Sequence, residues 1–136
     1  MGMFCYQCQE TAGGKGCTVK GVCGKTDDVA KLQDLLIYTL KGISQIVVKG
    51  KLDVKNLDNA NYQVLNSLFM TITNANFNAD YIVNQIKKML SVRDDLKKSV
   101  TLENPHDAVI FTADTKEAML EKAASIGVLS TENEDV

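Results

Sequence analysis

The chain has 136 residues, of which 45% are hydrophobic and 24% charged, with a formal net charge of −2 at pH 7. These values are typical of one globular domain with a single core, and they exclude the strongly basic class of chains that bind nucleic acid through charge. Because no apolar run approaches the roughly 20 residues that a membrane span requires, the sequence predicts no membrane partner either.

The first element along the chain is a segment rich in cysteine and glycine, residues 1–25. It holds all four cysteines of the chain in the spacing C-x2-C-x8-C-x5-C: Cys5, Cys8, Cys17 and Cys23. Its glycines can adopt positive φ, approach a ligand closely and turn amide groups toward sulfur: Gly13, Gly14, Gly16, Gly21 and Gly24. The segment is therefore predicted to wrap a metal centre, whose negative charge Lys15, Lys20 and Lys25 would offset.

The spacing leaves several kinds of cysteine site open. Structural zinc sites usually combine two C-x2-C knuckles, whereas five residues separate Cys17 from Cys23. Disulfides are disfavoured because the first four residues lack the basic and apolar regions of a signal peptide, which predicts a reducing cytoplasm. A thioredoxin-type site at Cys5 and Cys8 needs a preceding strand, for which there is no room. An iron–sulfur cluster is favoured, and zinc is the main alternative.

Residues 26–136 are predicted to form a helical body that begins with a long helix. Thr26 or Asp27 caps this helix, and acidic residues in its first turn suit the helix dipole. Its apolar residues recur every three or four positions and form a core stripe that ends at Gly50: Val29, Leu32, Leu35, Leu36, Leu40, Ile43, Ile46 and Val47.

Two more helices are predicted to follow. The second runs from about Asp58 to Thr73 and is followed by a turn over residues 74–78. The residues that indicate it share one face: Asn61, Leu65, Leu68, Phe69 and Ile72. The third begins near Ala79, and its inner edge consists of Ile82, Ile86, Met89, Leu90, Arg93 and Leu96. Its outer face carries charges of mixed sign, which indicates solvation. Three such antiparallel helices form a bundle.

The pattern weakens beyond Thr101, where Pro105 disfavours helix at the residue before it. His106 is interpreted as a helix-flanking or hydrogen-bonding residue, not as a ligand. Residues 107–113 are expected to form an extended loop packed on the bundle. A short last helix follows, with a capping box at Asp114 and Glu117 and a C-terminal cap at residues 127–128, before an acidic tail that is expected to fray. The predicted fold is all-α: a three-helix bundle with an N-terminal Cys-rich loop and a short C-terminal helix.

The residues around the cysteines resemble the amino terminus of hybrid cluster proteins, also called hydroxylamine reductases. The similar stretches are Phe4-Cys5-Tyr6-Gln7-Cys8-Gln9-Glu10-Thr11, Gly16-Cys17, Gly21-Val22-Cys23-Gly24-Lys25, His106-Asp107-Ala108 and Phe111-Thr112-Ala113-Asp114. The resemblance implies that the four cysteines hold a [4Fe-4S] cluster near the protein surface. It also implies that the hybrid cluster, which is the catalytic centre, has its ligands beyond Val136. The chain is then an amino-terminal part that carries electrons and does not itself reduce hydroxylamine.

The same resemblance implies two partners, the remaining domains of a longer protein and an electron donor of unknown identity. Because those domains would cover part of the helical body, we expect the isolated chain to expose an apolar surface and to self-associate. Phe4, Tyr6 and Val22 are expected to shield one side of the cluster. The alternative function is a helical interaction domain whose four cysteines bind structural zinc.

Overall fold

The computed structural model describes residues 3–6, 8–53, 55, 57–72 and 78–126. Within these ranges the chain forms five α-helices and a short 3-10 helix at Ala12–Gly14. The α-helices are α1 (Asp27–Lys49), α2 (Asp58–Ile72), α3 (Ala79–Lys97), α4 (Asp107–Ile110) and α5 (Lys116–Ile126). The described residues contain no strand, and their only β pairing is an isolated bridge between Cys5 and Cys17. The prediction of an all-α fold is confirmed.

Helix α1 has the predicted bounds and forms the centre of the molecule. The Thr26 hydroxyl accepts a hydrogen bond from the Val29 N–H at 3.4 Å, which caps the first turn. The helix ends at Gly50, whose N–H donates to the Ile46 carbonyl at 2.9 Å. The predicted apolar stripe is buried along its length, apart from Val47, which is half-buried. The helical periodicity therefore identified the core face of α1 correctly.

The two other long helices do not contribute equally to the packing around α1. Helix α3 lies along α1 and makes the most extensive contact, while α5 and α4 cover much of the rest, and α2 touches α1 and α3 only lightly. The main core accordingly joins α1 to α3, α4 and α5 through buried apolar side chains: Leu32, Leu35, Leu36, Ile82, Ile86, Met89, Phe111 and Met119. The predicted inner edge of α3 is buried, with Leu96 partly so.

Helix α2 buries a different face from the one its apolar residues marked. The buried side chains are mostly small or polar, and the Gln85 amide donates to the Ser67 hydroxyl at 2.9 Å where α3 meets α2. Leu65, Phe69 and Ile72 are instead more than 60% exposed. Apolar periodicity indicated the helix but not the direction in which it packs. The predicted end at Thr73 and most of the turn after it lie outside the described residues, whereas Asn78 caps α3.

The expectation of an extended loop over residues 107–113 is wrong for its first half. Asp107–Ile110 form the four-residue helix α4, and the backbone becomes extended at Phe111. The cause is His106, whose Nδ1 accepts a hydrogen bond from the Ala108 N–H at 3.0 Å and so caps this turn. His106 is therefore a helix-flanking, hydrogen-bonding residue, as the sequence predicted.

Helix α5 begins slightly later than its predicted capping box. Thr115, not Asp114, supplies the cap, because its hydroxyl accepts a hydrogen bond from the Ala118 N–H at 3.2 Å. The predicted C-terminal cap at residues 127–128 and the acidic tail lie outside the described residues. In the part of the chain that the structure describes, no helix is both long and apolar enough to span a bilayer.

Candidate metal centre

A short antiparallel contact joins two parts of the cysteine segment, and apolar packing joins the segment to α1. The Cys5 N–H donates to the Cys17 carbonyl at 2.9 Å, and the Cys17 N–H donates to the Cys5 carbonyl at 2.8 Å. Cys17 is buried together with Met3 against Ala30 of α1. Two of the four predicted ligands, twelve residues apart in sequence, are thus fixed side by side on the first turns of the long helix.

A tight turn holds Cys23. The Gly21 N–H donates to the Lys25 carbonyl at 2.7 Å, and the Gly24 N–H donates to the Gly21 carbonyl at 2.9 Å. A Cβ on Gly21 would lie 2.8 Å from the Lys25 Cβ and 3.2 Å from the Cys23 sulfur. Gly21 is therefore required here for close approach, and the predicted positive φ is found at the other four glycines predicted to adopt it, with Gly24 at 98°.

All four cysteines line a single cavity of about 380 Å³. Cys17 is buried and Cys5 is half-buried, whereas Cys8 and Cys23 are exposed, and all four are free thiols. In the described part of the chain, no three His, Cys, Asp or Glu side chains are arranged so that they could hold one metal ion. The structure thus places the predicted ligands around one shared space and not at a common point.

The surroundings of Cys17 favour the thiolate. The Cys17 sulfur accepts a hydrogen bond from the Ala12 N–H at 3.4 Å. The N–H groups of Ala12 and Val22 lower the pKa of the Cys17 thiol, burial opposes them, and the charge of Lys25 adds a smaller lowering. The Lys25 ammonium donates to the Cys5 sulfur at 3.3 Å. Metal ligation requires deprotonated cysteines, so the lowered pKa of Cys17 is compatible with the predicted role of Cys17 as a ligand.

The cavity wall includes residues that the sequence did not predict. Thr71 and Ile72, at the end of α2, line it together with Val22. No pattern in the sequence could have found them, because they reach the site only through the packing of α2. Phe4 and Tyr6, expected to shield the cluster, do not line this cavity.

Phe4 and Tyr6 line a second cavity of about 300 Å³ on another side of Cys5. Cys5 and Lys25 belong to both cavities, and α1 supplies the far wall of the second: Ala30, Gln33, Asp34 and Ile37. Burial raises the pKa of Asp34 to about 6, against the charges of Lys25 and Lys41. The Gln33 side-chain nitrogen is buried and has no hydrogen-bond partner among the described residues.

Residues 3–136 match the model of the Prismane/CO dehydrogenase family. The chain belongs to this family. Since the match covers all but the first two residues, the cysteine segment and the helical body both lie within the family's pattern.

Curated relatives of this Prismane/CO dehydrogenase chain are named hydroxylamine reductase. It is 66% identical to the hydroxylamine reductase of Acetivibrio thermocellus over 136 residues. It is 49% identical to that of Clostridium perfringens and 48% identical to that of Thermoanaerobacter pseudethanolicus. Each match covers 100% of this chain but only 25% or 26% of the relative. The chain therefore spans about a quarter of the length of these relatives.

Proposed function

We propose that this chain is the [4Fe-4S] electron-transfer domain of a hybrid cluster protein, with Cys5, Cys8, Cys17 and Cys23 as the four ligands. The observation that carries the proposal is that all four cysteines line one cavity of about 380 Å³. The membership of the family and the similarity to hydroxylamine reductases support it. Four thiolates around one cavity are the ligand set that a cubane cluster takes.

The arrangement of the sulfurs favours a cluster over structural zinc. Four thiolates on one zinc ion lie about 3.8 Å from one another, because each Zn–S bond is about 2.3 Å long and the geometry is tetrahedral. The four cysteines of this chain line a cavity of about 380 Å³. A cluster of several atoms separates its ligands further and needs a cavity between them.

Two parts of the cysteine segment would hold such a cluster. The bridge between Cys5 and Cys17 fixes the inner two ligands against α1, and the turn at Gly21 holds Cys23 at the rim. When bound, the cluster supplies reversible one-electron transfer. Because Cys8 and Cys23 are exposed, we propose that an electron donor, not yet identified, approaches at this rim in the cytoplasm.

The destination of the electrons lies in the remainder of a longer protein. Because the chain spans about a quarter of the hydroxylamine reductases it matches, we propose that the reaction and its hybrid cluster belong to the other three quarters. The exposed apolar residues of α2 support this, because they form a face that further domains would cover. In the isolated chain, we propose that a second copy covers this face.

The proposal is tested by preparing the chain without oxygen and following its absorbance. We expect a brown protein with a broad visible band that bleaches on addition of dithionite and returns on reoxidation. A matched Cys17→Ser variant should lose most of this band, since Cys17 is the buried ligand, while Thr18→Ser should keep it. A colourless chain that holds one zinc ion and does not respond to dithionite would contradict the proposal.

A further inference from the structure

Lys25 differs from the other lysines of the cysteine segment in being buried. Its exposed fraction is 4%, whereas Lys15 and Lys20 are exposed. Burying an ammonium group is costly unless it is paired with an acceptor or an opposite charge. The Cys5 sulfur, 3.3 Å from the Lys25 Nζ, is such a partner.

The backbone fixes both ends of this contact. The Lys25 carbonyl accepts the Gly21 N–H at 2.7 Å, and the next residue, Thr26, caps α1. Cys5 is held by its paired hydrogen bonds to Cys17. The ammonium group is therefore attached at the start of the central helix and directed at a sulfur whose own position is set independently. A flexible surface lysine has no such constraint.

Lys25 and Cys5 also separate the two cavities of the site. Both residues line the cavity that the four cysteines share, and both line the second cavity on the other side of Cys5. Asp34, half-buried on α1, lies on the wall of the second cavity and interacts electrostatically with Lys25. Lys25 thus lines both the cavity shared by the four cysteines and the cavity whose wall includes Asp34.

We propose that Lys25 is a positioning residue that holds the Cys5 sulfur and raises the reduction potential of the cluster. This inference rests on the proposed function. Reduction adds one negative charge to the cluster, and a buried positive charge beside a ligand sulfur stabilises the reduced form more than the oxidised form. Asp34, on the wall of the second cavity, has the opposite sign and acts in the opposite direction.

The test is a redox titration of the anaerobically reconstituted chain at pH 8, with dithionite as reductant and the visible band as signal. Iron and sulfide are measured in Lys25→Gln and in the unaltered chain, and potentials are compared only for the cluster that each chain holds. At a fixed applied potential the ratio of reduced to oxidised cluster in Lys25→Gln should fall about tenfold, a shift of about −59 mV for one electron. Lys20→Gln removes the same charge from an exposed position of the same segment and should shift the potential much less.

Asp34→Asn keeps the inference testable if Lys25→Gln binds no cluster. This substitution preserves the shape of the side chain and removes the negative charge, so the potential should rise. Equal potentials in the unaltered chain and in Lys25→Gln, or no rise in Asp34→Asn, would overturn the role of Lys25 and leave the proposed function intact. An unaltered chain that takes up no iron and sulfide would overturn both.

Discussion

Among single residues, two glycines matter to the candidate site because their lack of a side chain lets neighbouring side chains approach closely. Gly21 leaves room for the Cys23 sulfur and the Lys25 side chain, and Gly16, with φ at 114°, faces the Phe4 ring. A Cβ on Gly16 would lie 2.6 Å from that ring. The sequence indicated these glycines for positive φ and for close approach to a ligand, and at Gly21 the close approach is to the side chains of Cys23 and Lys25.

Gly21→Ala should therefore reduce the amount of cluster that the chain retains. The added methyl group would lie 2.8 Å from the Lys25 Cβ and 3.2 Å from the Cys23 sulfur, so the turn must open to accept it. We expect at least a twofold fall in iron per chain after anaerobic desalting. Lys20→Ala, at the exposed neighbouring residue, is the control, and equal iron in both variants would contradict the argument.

Among the helices, α4 lies in close contact with α1 at Gly42. A Cβ on Gly42 would run into the Ala108 carbonyl oxygen and lie 2.8 Å from its carbon and 3.3 Å from the Arg93 Cδ. Arg93 is itself buried, donates to the Ala108 carbonyl at 3.2 Å and lies over the Phe111 ring. The short helix is thus held at Ala108 by a close backbone contact with Gly42 and by a hydrogen bond from the buried Arg93 guanidinium.

Gly42→Ala should destabilise the fold, although alanine normally favours a helix. The helix propensity gained is about 1 kcal/mol, whereas a clash with backbone atoms costs about 1 to 3 kcal/mol and cannot be relieved by a side-chain rotation. We expect the free energy of unfolding in urea to fall. Ser44→Ala, exposed on the same helix, should change it by less than about 0.5 kcal/mol. A Gly42→Ala chain more stable than the original would show that α4 is not packed this closely.

A second contact joins α1, α4 and α5 at Asp107. Its carboxylate accepts a hydrogen bond from the Lys122 ammonium and one from the Tyr38 hydroxyl at 2.7 Å. The Lys122 and Tyr38 hydrogen bonds lower the pKa of Asp107, and burial opposes them. A carboxyl whose pKa is lower in the folded chain contributes stability above its unfolded pKa, about 3.9, and loses it as pH falls through the folded value.

Asp107→Asn should therefore cost stability at neutral pH and cost less in acid. The difference in urea midpoint between this variant and the unaltered chain should be largest at pH 7 and should shrink below about pH 4. Asp95→Asn, at an exposed position on α3, is the control and should show little difference at either pH. A difference for Asp107→Asn that stays constant from pH 7 to pH 3 would rule out the contribution of its charge.

A helix could be predicted where its own apolar periodicity determines it, and not where a single cap or the packing of another helix does. Helices α1 and α3 were predictable because their buried faces carry long runs of apolar residues at helical spacing. Helix α4 was missed because its cap is the His106 imidazole nitrogen and its four residues are too short for a period. The burial of small and polar side chains such as Ser67 on α2 depends on a partner in α3, which local sequence does not reveal. The cysteine ligands stay a prediction, and their shared cavity supports them.

At the scale of the whole molecule, α2 presents an apolar face. Its exposed members are Tyr62, Leu65, Leu68, Phe69 and Ile72. Together with Val48 of α1, which is 73% exposed, they exceed the single scattered apolar residues that are normal on a surface. Ile72 also lines the cavity of the four cysteines, so this face extends to the candidate site.

The isolated chain should therefore self-associate through α2. We expect light scattering to give a mass above 14.9 kDa that rises with concentration. The double variant Leu65→Asp and Phe69→Asp should shift the chain to the monomer, because it places charges on the face. Lys87→Asp and Ser91→Asp, on the exposed side of α3, serve as the matched control. A strict monomer at high concentration of the unaltered chain would contradict the expectation.

The iron–sulfur cluster proposed at the four cysteines has a composition that can be measured. The most direct test of this cluster is the measurement of iron, acid-labile sulfide and zinc in chain purified without oxygen. We expect about four irons and four sulfides per chain and less than stoichiometric zinc. One zinc per chain, with neither iron nor sulfide, would contradict this expectation.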